Sequence, residues 1–345
     1  MADERANKPI TIYDIAAEAK VSPSTVSRVL TGSANVRKPK KDRVLALIEK
    51  YNFKPNALAK GLSDTRSKLI GFITADVRNP FYSAVYVACE TAAHERGYRI
   101  ILFNSLGEKE REIEELDMLM QQRVDAIIQL GGGADDLVTN ADFAKAAGNI
   151  VKSIPMVVNG KIDGVNCLTV MIDAKAACRM LMEHLLELGH RDIALVGGRL
   201  DVVSTNEKYE AYKTILQFNS IEYRDDYIVT GGYDQEAGYE GVKKLLKLDK
   251  MPTAIIAIND FSACGVIKGL LEAGLRVPED ISVVSYDNTY ITELLTPRLT
   301  SIDYDYAKLG EAFVNAAIAA AEGVDTPKCR TITPKLFVRD SARKI

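Results

Sequence analysis

Two kinds of hydrophobic pattern divide the chain near residue 68. Before this point, apolar residues recur at the three- and four-residue spacing that places them on one side of a helix. Beyond it, apolar runs of strand length alternate with longer amphipathic stretches. The first pattern predicts a small helical domain, and the second predicts an α/β domain with a mostly parallel sheet.

The helical part opens with two cap signals. Thr11 followed by Asp14 is a capping box, so we expect a helix to start there. Its apolar stripe consists of Ile12, Ile15, Ala16 and Ala19. Ser22 followed by Pro23 marks the start of a second helix, because proline suits the first helical position. The few residues between the two helices predict a tight turn.

Two further helices supply the rest of a small core. In VSPSTVSRVL, the residues Val26, Val29 and Leu30 form a core-facing stripe, whereas the hydroxyls and Arg28 lie elsewhere around the helix. A third helix is predicted from about residue 39 to residue 51. Its inward side consists of Val44, Leu45, Leu47, Ile48 and Tyr51. Three such helices can close one core.

Two helices joined by a tight turn are typical of the helix-turn-helix, whose second helix lies in the DNA major groove. We expect Pro23, Ser24 and Arg28 to face bases, because serine permits close approach and arginine can pair with guanine through two hydrogen bonds. Phosphate contacts are expected from Tyr13, Ser22, Lys38, Lys40 and Lys41. The alternative is an ordinary three-helix domain with a polar surface.

The distribution of charge is compatible with both interpretations. Residues 1–68 contain 14 Lys and Arg against 7 Asp and Glu, whereas the remainder contains 30 against 40. A basic segment often contacts nucleic acid, although it can also be a solvated face. No apolar run approaches the roughly 20 residues of a membrane helix, and the N-terminus lacks the apolar core of a secretory signal. We therefore expect a cytoplasmic protein that does not engage a membrane.

Eight apolar runs outline the strands of the α/β part: LIGFITAD, RIILFNS, AIIQLGG, MVVNG, CLTVMID, DIALVGG, AIIAIND and SVVSYD. Runs of this kind are typical of strands buried on both faces in a doubly wound fold. Several end in polar residues: Asp76, Asn104, Asn159, Asp173, Asn259, Asp260 and Asp287. Because ligands of open α/β sheets bind at the carboxyl ends of the strands, we expect these side chains to ring a crevice.

Motifs of catalysis are missing from the sequence. It has no GxxxxGKS or GxxxxGKT phosphate loop, no GxGxxG after a strand and no GxSxG elbow. Five widely separated cysteines and three histidines offer neither a disulfide framework nor a metal site. We therefore expect no enzymatic activity, no cofactor and no metal.

Two segments, TIYDIAAEAKVSPSTVSRVL and DRVLALIEKYNFKPNALAKGL, resemble the headpiece of the lactose-repressor (LacI/GalR) family of bacterial transcription regulators. The resemblance spans residues 11–69. It implies a DNA-binding headpiece over residues 1–55, with Pro23, Ser24 and Arg28 at the base-reading positions. Lys20 stands where the family has a turn glycine, so we expect it to adopt the left-handed conformation at a cost of about 1 kcal/mol.

The same resemblance implies a hinge helix and linker over residues 56–68. In isolation this segment is too short to be a stable helix in water. The family folds it when two copies pair on the operator. Ala59, Lys60 and Leu62 then take the minor-groove positions, with the leucine wedged between base pairs. The alternative is a plain linker.

The remainder, residues 69–345, resembles the family's effector-binding domain, which is similar to type I periplasmic sugar-binding proteins. The landmarks are ADVRNPFY, LLELGHRDIALVGG, AIIAINDFSACGVIKGL, RVPEDISVVSYDN and LTPRLTSIDYDYAKLG. The resemblance implies an N-lobe of about 69–172 and 303–332, a C-lobe of about 173–302 and 333–345, and a ligand between them. Effector contacts are implied for Asp76, Asn79, Phe81, Lys208, Tyr233, Asn259 and Asp287.

A sugar would suit these implied contacts. Its C–H surface would lie on Phe81 and Tyr233, and its hydroxyls would bind Lys208, Asn259 and Asp287. Lys208 replaces an arginine that is frequent in the family, and lysine cannot form the planar fork of arginine. Packing is the alternative role for the two aromatic residues.

Together these features predict a dimeric, operator-binding transcription regulator, a repressor switched by a sugar or sugar derivative. Its partners would be double-stranded operator DNA, the effector and a second copy of the chain. Two alternatives stay open. One is a soluble sugar-binding protein of the periplasmic class, and the other is a regulator of this family controlled by a protein corepressor.

Overall fold

The computed structural model describes residues 10–32, 36–53 and 66–345. It divides the chain into one unit that ends at Ser67 and a second that runs from Lys68 to Ile345. The residues implied for the minor groove, Ala59, Lys60 and Leu62, lie outside the described residues. Within the described ranges, no helix combines the length and the apolar character that crossing a membrane requires.

The described part of the first unit contains three helices: α1 (Ile12–Ala19), α2 (Pro23–Thr31) and α3 (Lys38–Lys50). Both predicted caps are confirmed. Thr11 and Asp14 form the capping box of α1, and the Ser22 hydroxyl accepts a hydrogen bond from the Thr25 amide at the start of α2. These side chains satisfy backbone N–H groups that have no partner inside the helix.

The turn between α1 and α2 takes the conformation expected for a position usually filled by glycine. Lys20 has φ 55°, in the left-handed region. Its amide donates to the Ala17 carbonyl at 3.2 Å, and the Val21 amide donates to the Ala16 carbonyl at 3.0 Å. These bonds satisfy carbonyls at the end of α1, so the turn forms with lysine in place of glycine.

A hydrophobic core of the first unit lies between α1, α2 and α3. Each helix contributes one fully buried residue, namely Ile15, Val26 and Val44. The prediction that Leu45 faces inward is wrong, because this side chain is 43% exposed. Val44 and Ile48 lie about one helical turn apart on the inward side, whereas Leu45 is rotated by roughly 100° from Val44.

Two six-stranded sheets form the second unit. The first sheet has the order β11-β5-β4-β3-β1-β2 and is entirely parallel. Its strands are β1 (Leu69–Thr74), β2 (Arg99–Asn104), β3 (Ala126–Leu130), β4 (Met156–Val158), β5 (Leu168–Ile172) and β11 (Cys329–Ile332). The second sheet has the order β12-β10-β9-β8-β6-β7, with only β12 antiparallel. Its strands are β6 (Ile193–Val196), β7 (Ile228–Val229), β8 (Ala254–Ala257), β9 (Ser282–Asp287), β10 (Thr300–Asp303) and β12 (Lys335–Phe337).

Helices cover both faces of each sheet. They are α4 (Pro80–Glu95), α5 (Lys109–Gln121), α6 (Ala141–Ile150), α7 (Ala174–Glu187), α8 (Val203–Phe218), α9 (Gln235–Leu245), α10 (Asp260–Glu272), α11 (Ile291–Leu294) and α12 (Tyr306–Glu322). Helices α4 and α12 pack on one face of the first sheet, and α5 and α6 pack on the other. Helices α7 and α8 pack on one face of the second sheet, and α9 and α10 pack on the other. The doubly wound prediction is confirmed.

The chain crosses between the two sheets three times. It leaves the first sheet after Ile172, returns from the second after Asp303, and crosses again after Ile332. Each lobe is therefore built from separate stretches of sequence. The N-lobe contains the first sheet, and the C-lobe contains the second.

All eight strands predicted from apolar runs are present, but four others were missed. These are β7, β10, β11 and β12, which have two to four residues each. Polar residues interrupt β10 and β11, whose sequences are TSID and CRTI, and β7 has only two residues. Three of the four, β7, β11 and β12, are edge strands.

The crossing of α9 and α10 gives a stability prediction. A Cβ atom on Gly265 would collide with the backbone carbonyl of Gln235, whereas one on Gly148 would make only ordinary contact with Val165. Gly265→Ala should therefore lower the free energy of unfolding by about 1–3 kcal/mol or more. Gly148→Ala should raise it by roughly 0.5 kcal/mol, since alanine favours a helix. Denaturant titration of both variants checks this, and equal midpoints would contradict the close packing.

Candidate functional site

The outer side of α2 carries the predicted base-reading residues. Ser24 and Arg28 are exposed, and Pro23 is half-buried. A chain of hydroxyls lies at the start of this helix, with Ser22 Oγ 2.8 Å from Ser24 Oγ and 2.9 Å from Thr25 Oγ1. Thr25 was not singled out from the sequence, although its position three residues after the cap serine Ser22 could have indicated it. The helix thus presents short polar groups at its N-terminus and a long cation one turn later.

The predicted phosphate-binding residues are also accessible. Tyr13 is 70% exposed, and Ser22, Lys38, Lys40 and Lys41 are exposed as well. The three lysines lie in the first turn of α3, where the partial positive charge of the helix adds to theirs. Their contacts with DNA stay a prediction.

The structure brings all seven predicted effector residues to one cleft between the N-lobe and the C-lobe. The residues on the N-lobe side are Asp76, Asn79 and Phe81. Those on the C-lobe side are Lys208, Tyr233, Asn259 and Asp287. The cleft has an inner part and an outer part that are continuous with each other. Both parts are lined by Asn79, Tyr82, Asp135, Ser204 and Tyr233. Binding of an effector by these residues stays a prediction.

The N-lobe wall holds its polar groups with internal bonds. The Asp76 carboxylate forms an ion pair with Arg78 at 2.8 Å, and this guanidinium lowers the pKa of Asp76. Asn79 caps α4 by accepting from the Phe81 amide at 3.1 Å. The Phe81 ring lies edge-on to Tyr82 and Tyr304, with centroids 5.2 Å and 6.0 Å away. Phe81 therefore packs among aromatic rings while it lines the cleft.

The C-lobe wall is similarly tied together. Asn259 caps α10 by accepting from the Ser262 amide at 2.7 Å, and its Nδ2 donates to the Tyr233 carbonyl at 2.9 Å. The Tyr233 hydroxyl lies 2.8 Å from Thr205 Oγ1. Asn259 accordingly orients the loop that carries Tyr233, and one amide N–H is left to meet a ligand.

Lys208 and Asp287 are ionisable side chains that both line the inner part of the cleft. Lys208 Nζ lies 4.0 Å from the centroid of the Tyr286 ring and donates to the Ile258 carbonyl at 3.3 Å. Burial lowers the pKa of Lys208, although Asp287 and Asp135 oppose this shift. Burial also raises the pKa of Asp287 to about 8, while Lys208 acts in the opposite direction. Both groups retain hydrogen-bonding capacity that a ligand could use.

A clasp between the lobes was missed by sequence reasoning. We use this name for residues 135–137 of the N-lobe and 201–204 of the C-lobe. The Leu137 amide donates to the Asp201 carbonyl at 2.8 Å, and the Ser204 hydroxyl donates to the Asp135 carboxylate at 2.7 Å. The acidic pair that follows GGGA after β3 was the available signal for Asp135. Ser204 had none, because its partner lies 69 residues away in the chain.

Three of the polar strand ends do not line the cleft. Asn104 accepts from the Val77 amide at 3.0 Å, and Asp173 caps α7. Asp260 is fully buried and accepts from Ser301 Oγ at 2.8 Å and from the Thr289 amide at 2.6 Å. The expectation that these three ring the crevice is wrong, because none of them lines the cleft and each binds other parts of its own surroundings.

The comparisons with known proteins match both parts of the chain. Residues 11–56 match the model of the bacterial regulatory proteins of the lacI family, and residues 182–342 match a periplasmic binding protein-like domain. Catabolite control protein A of Priestia megaterium is 36% identical over 85% of this chain and 87% of its own. The transcriptional repressor PurR of Haemophilus influenzae (strain PittEE) is 31% identical over 97% of this chain and 99% of its own.

A solved structure covers both units. The lac repressor dimer bound to operator and the anti-inducer ONPF is 27% identical, with a TM-score of 0.85 over 97% of this chain and all of that one. A helix-turn-helix unit followed by a two-lobed binding body defines a class of DNA-binding transcription regulators. This chain belongs to the LacI family of bacterial regulatory proteins. It is a regulator and not an enzyme, and its headpiece separates it from the periplasmic binding proteins.

The buried carboxyl of Asp287 gives a pH prediction. The pKa of Asp287 is about 8 in the folded protein, against an ordinary value of 3.8. Between these two pH values the folded protein retains a proton that the unfolded chain releases. Unfolding then releases a proton, so this group lowers stability as pH rises through the window. The free energy of unfolding of the wild type relative to Asp287→Asn should therefore fall from pH 5 to pH 8. Denaturant titrations at several pH values test this, and a constant difference would contradict the raised pKa.

Proposed function

We propose that this protein is a sequence-specific repressor that binds operator DNA as a homodimer and is controlled by a sugar or sugar derivative in the cleft. The observation that carries the proposal is the combination of two features in one chain. These are the exposed Arg28 face of α2 and a cleft whose wall holds buried hydrogen-bonding groups. Operator binding implies a cytoplasmic protein, since it acts where the bacterial chromosome lies.

The DNA-binding half of the proposal rests on two sets of headpiece residues, one suited to bases and the other suited to phosphates. Arg28 is long enough to reach guanine O6 and N7 from a helix in the major groove. Ser24 is small and therefore lets the helix lie close to the bases. Lys38, Lys40 and Lys41 are suited to phosphates, which fix the position of the helix without reading sequence. The lac repressor, which shares the fold of both units, is bound to operator in its structure.

The effector half rests on the chemistry of the cleft wall. A sugar hydroxyl can accept from the Lys208 ammonium and also donate to the Asp287 carboxyl. Aromatic and aliphatic side chains, among them Phe81, Tyr304 and Ile258, supply an apolar surface for the C–H groups of a ring. This mixture of convergent polar groups and apolar walls is what a polyhydroxylated ligand requires.

The dimer is supported by an exposed apolar surface that is formed by α4 and α12 of the N-lobe together with Tyr290 of the C-lobe. Val87 on α4 is 60% exposed and Tyr290 is 67% exposed, and both line a shallow groove with Tyr306. Apolar surface of this kind marks interaction sites in soluble proteins. The lac repressor structure is that of a dimer, which favours a second copy of the chain as the occupant. A protein corepressor is the alternative to a sugar effector, and it would also bind the outer surface of the second unit.

The headpiece gives a matched pair of substitutions. Arg28→Ala should lose about 1–3 kcal/mol of discrimination between operator and scrambled DNA, because a base contact is removed. Lys40→Ala should weaken binding to both DNAs alike and reduce the salt slope by roughly 1, because a phosphate contact is removed. Salt titrations on an operator selected from random DNA measure both effects. Equal loss on both DNAs for Arg28→Ala would remove it from the base-reading set.

The cleft gives a second matched pair. Asp287→Asn should abolish or strongly weaken the response of operator affinity to sugar, while operator affinity without sugar stays within about threefold. Asp226→Asn, an exposed carboxylate paired with Arg224 outside the cleft, is the control and should respond like the wild type. The sugar is the one that stabilises the wild type most in a thermal-shift panel. An unchanged response in Asp287→Asn would show that this residue does not bind the effector.

A further inference from the structure

The N-terminus of α8 opens onto the cleft. This 16-residue helix begins after Val202, which has no side chain that could cap it. The first N–H groups of a helix lack partners inside it and carry partial positive charge. Together with the Ser204 hydroxyl, they form the kind of donor set that binds phosphate or carboxylate. Both Val203 and Ser204 line the cleft.

Asp135 of the opposite lobe already occupies this helix end. Its carbonyl oxygen accepts from the Val203 amide at 2.8 Å. Its carboxylate accepts from the Ser204 amide at 3.3 Å and from the Ser204 hydroxyl at 2.7 Å. Asp135 is buried, with only 7% of its surface exposed. Burial raises the pKa of Asp135 to about 6, so the group is largely ionised at pH 7.5, where we would test it.

Two further cations that line the cleft, Lys109 and Arg199, also have carboxylate partners. Lys109 Nζ lies 2.7 Å from Asp136, and the Arg199 guanidinium lies 2.7 Å from Asp201. Burial lowers the pKa of Lys208, with Asp287 and Asp135 opposing this shift, and its Nζ donates to the Ile258 carbonyl at 3.3 Å. A phosphate or carboxylate on a ligand would therefore meet carboxylates that already hold the start of α8, Lys109 and Arg199. A hydroxyl meets no such conflict, because it carries no charge and both donates and accepts.

We propose that Asp135 is a specificity-determining residue, an internal anion that fills the donor set at the start of α8 and restricts the effector to uncharged compounds. The inference rests on the proposed function of the cleft as the effector site, and it excludes phosphorylated and carboxylated sugars. Removal of Asp135 should turn the same helix end into a site for a small anion.

The test uses inorganic phosphate as the probe, at constant ionic strength, with the whole chain. The wild type should show no saturable rise in melting temperature. Asp135→Ala should show a saturable rise of roughly 2–4 °C when phosphate exceeds its Kd about tenfold. Asp135→Ser is a second variant in case alanine impairs folding. Adding Ser204→Ala to either variant should remove most of the rise, because it deletes one donor from the site.

Three outcomes would overturn the proposal. A saturable phosphate shift in the wild type that Lys208→Met removes would show that the cleft has a free anion site. If both Asp135 variants fold and phosphate raises the melting temperature of neither, Asp135 does not fill an anion site. Stronger stabilisation of the wild type by glucose 6-phosphate than by glucose, or by ribose 5-phosphate than by ribose, would contradict the restriction directly. Binding to the selected operator is measured on the same samples, so failure of DNA binding is seen separately from failure of the anion test.

Discussion

The carboxyl ends of parallel strands lie at one edge of a sheet, and the three crossings place those edges of the two lobes across a shared cleft. Polar groups from both lobes are thereby buried close together, where an unpaired group is costly. The protein meets this constraint with internal partners. Asn79 and Asn259 cap helices, and Asp135 bonds to the start of α8. What remains available to a ligand is a small set around Lys208 and Asp287.

The same constraint connects ligand binding to the arrangement of the lobes. The clasp joins residues 135–137 to 201–204, and these bonds exist only when the lobes are close. A ligand that touches Phe81 on one lobe and Lys208 on the other adds contacts that depend on the same closeness. Such a ligand shifts the population toward the closed arrangement by the difference in its affinity for the two states. Regulation of a DNA-binding unit by this cleft therefore requires no chemistry beyond closure.

Local signals accounted for much of the structure, and long-range contacts accounted for what was missed. The caps at Thr11 and Ser22, the left-handed Lys20 and the eight main strands each depend on residues a few positions apart. The bond between Asp135 and Ser204 depends on two lobes meeting, which no local pattern encodes. The polar strand ends show the same limit, since Asp260 looked like a cleft residue but is used inside the C-lobe. The seven residues predicted to contact an effector were assigned from a family resemblance and not from periodicity.

Reciprocal linkage between operator and effector tests the account most directly. The affinity of the sugar that stabilises the wild type most would be measured by titration calorimetry on the free protein and on its complex with the selected operator. If the cleft controls DNA binding, the ratio of these two affinities must equal the ratio of operator affinities with and without sugar. We predict a ratio that differs from one by about 5–150-fold, the usual range for allosteric coupling. Equal sugar affinities in the two states, with an unchanged operator affinity, would contradict the account.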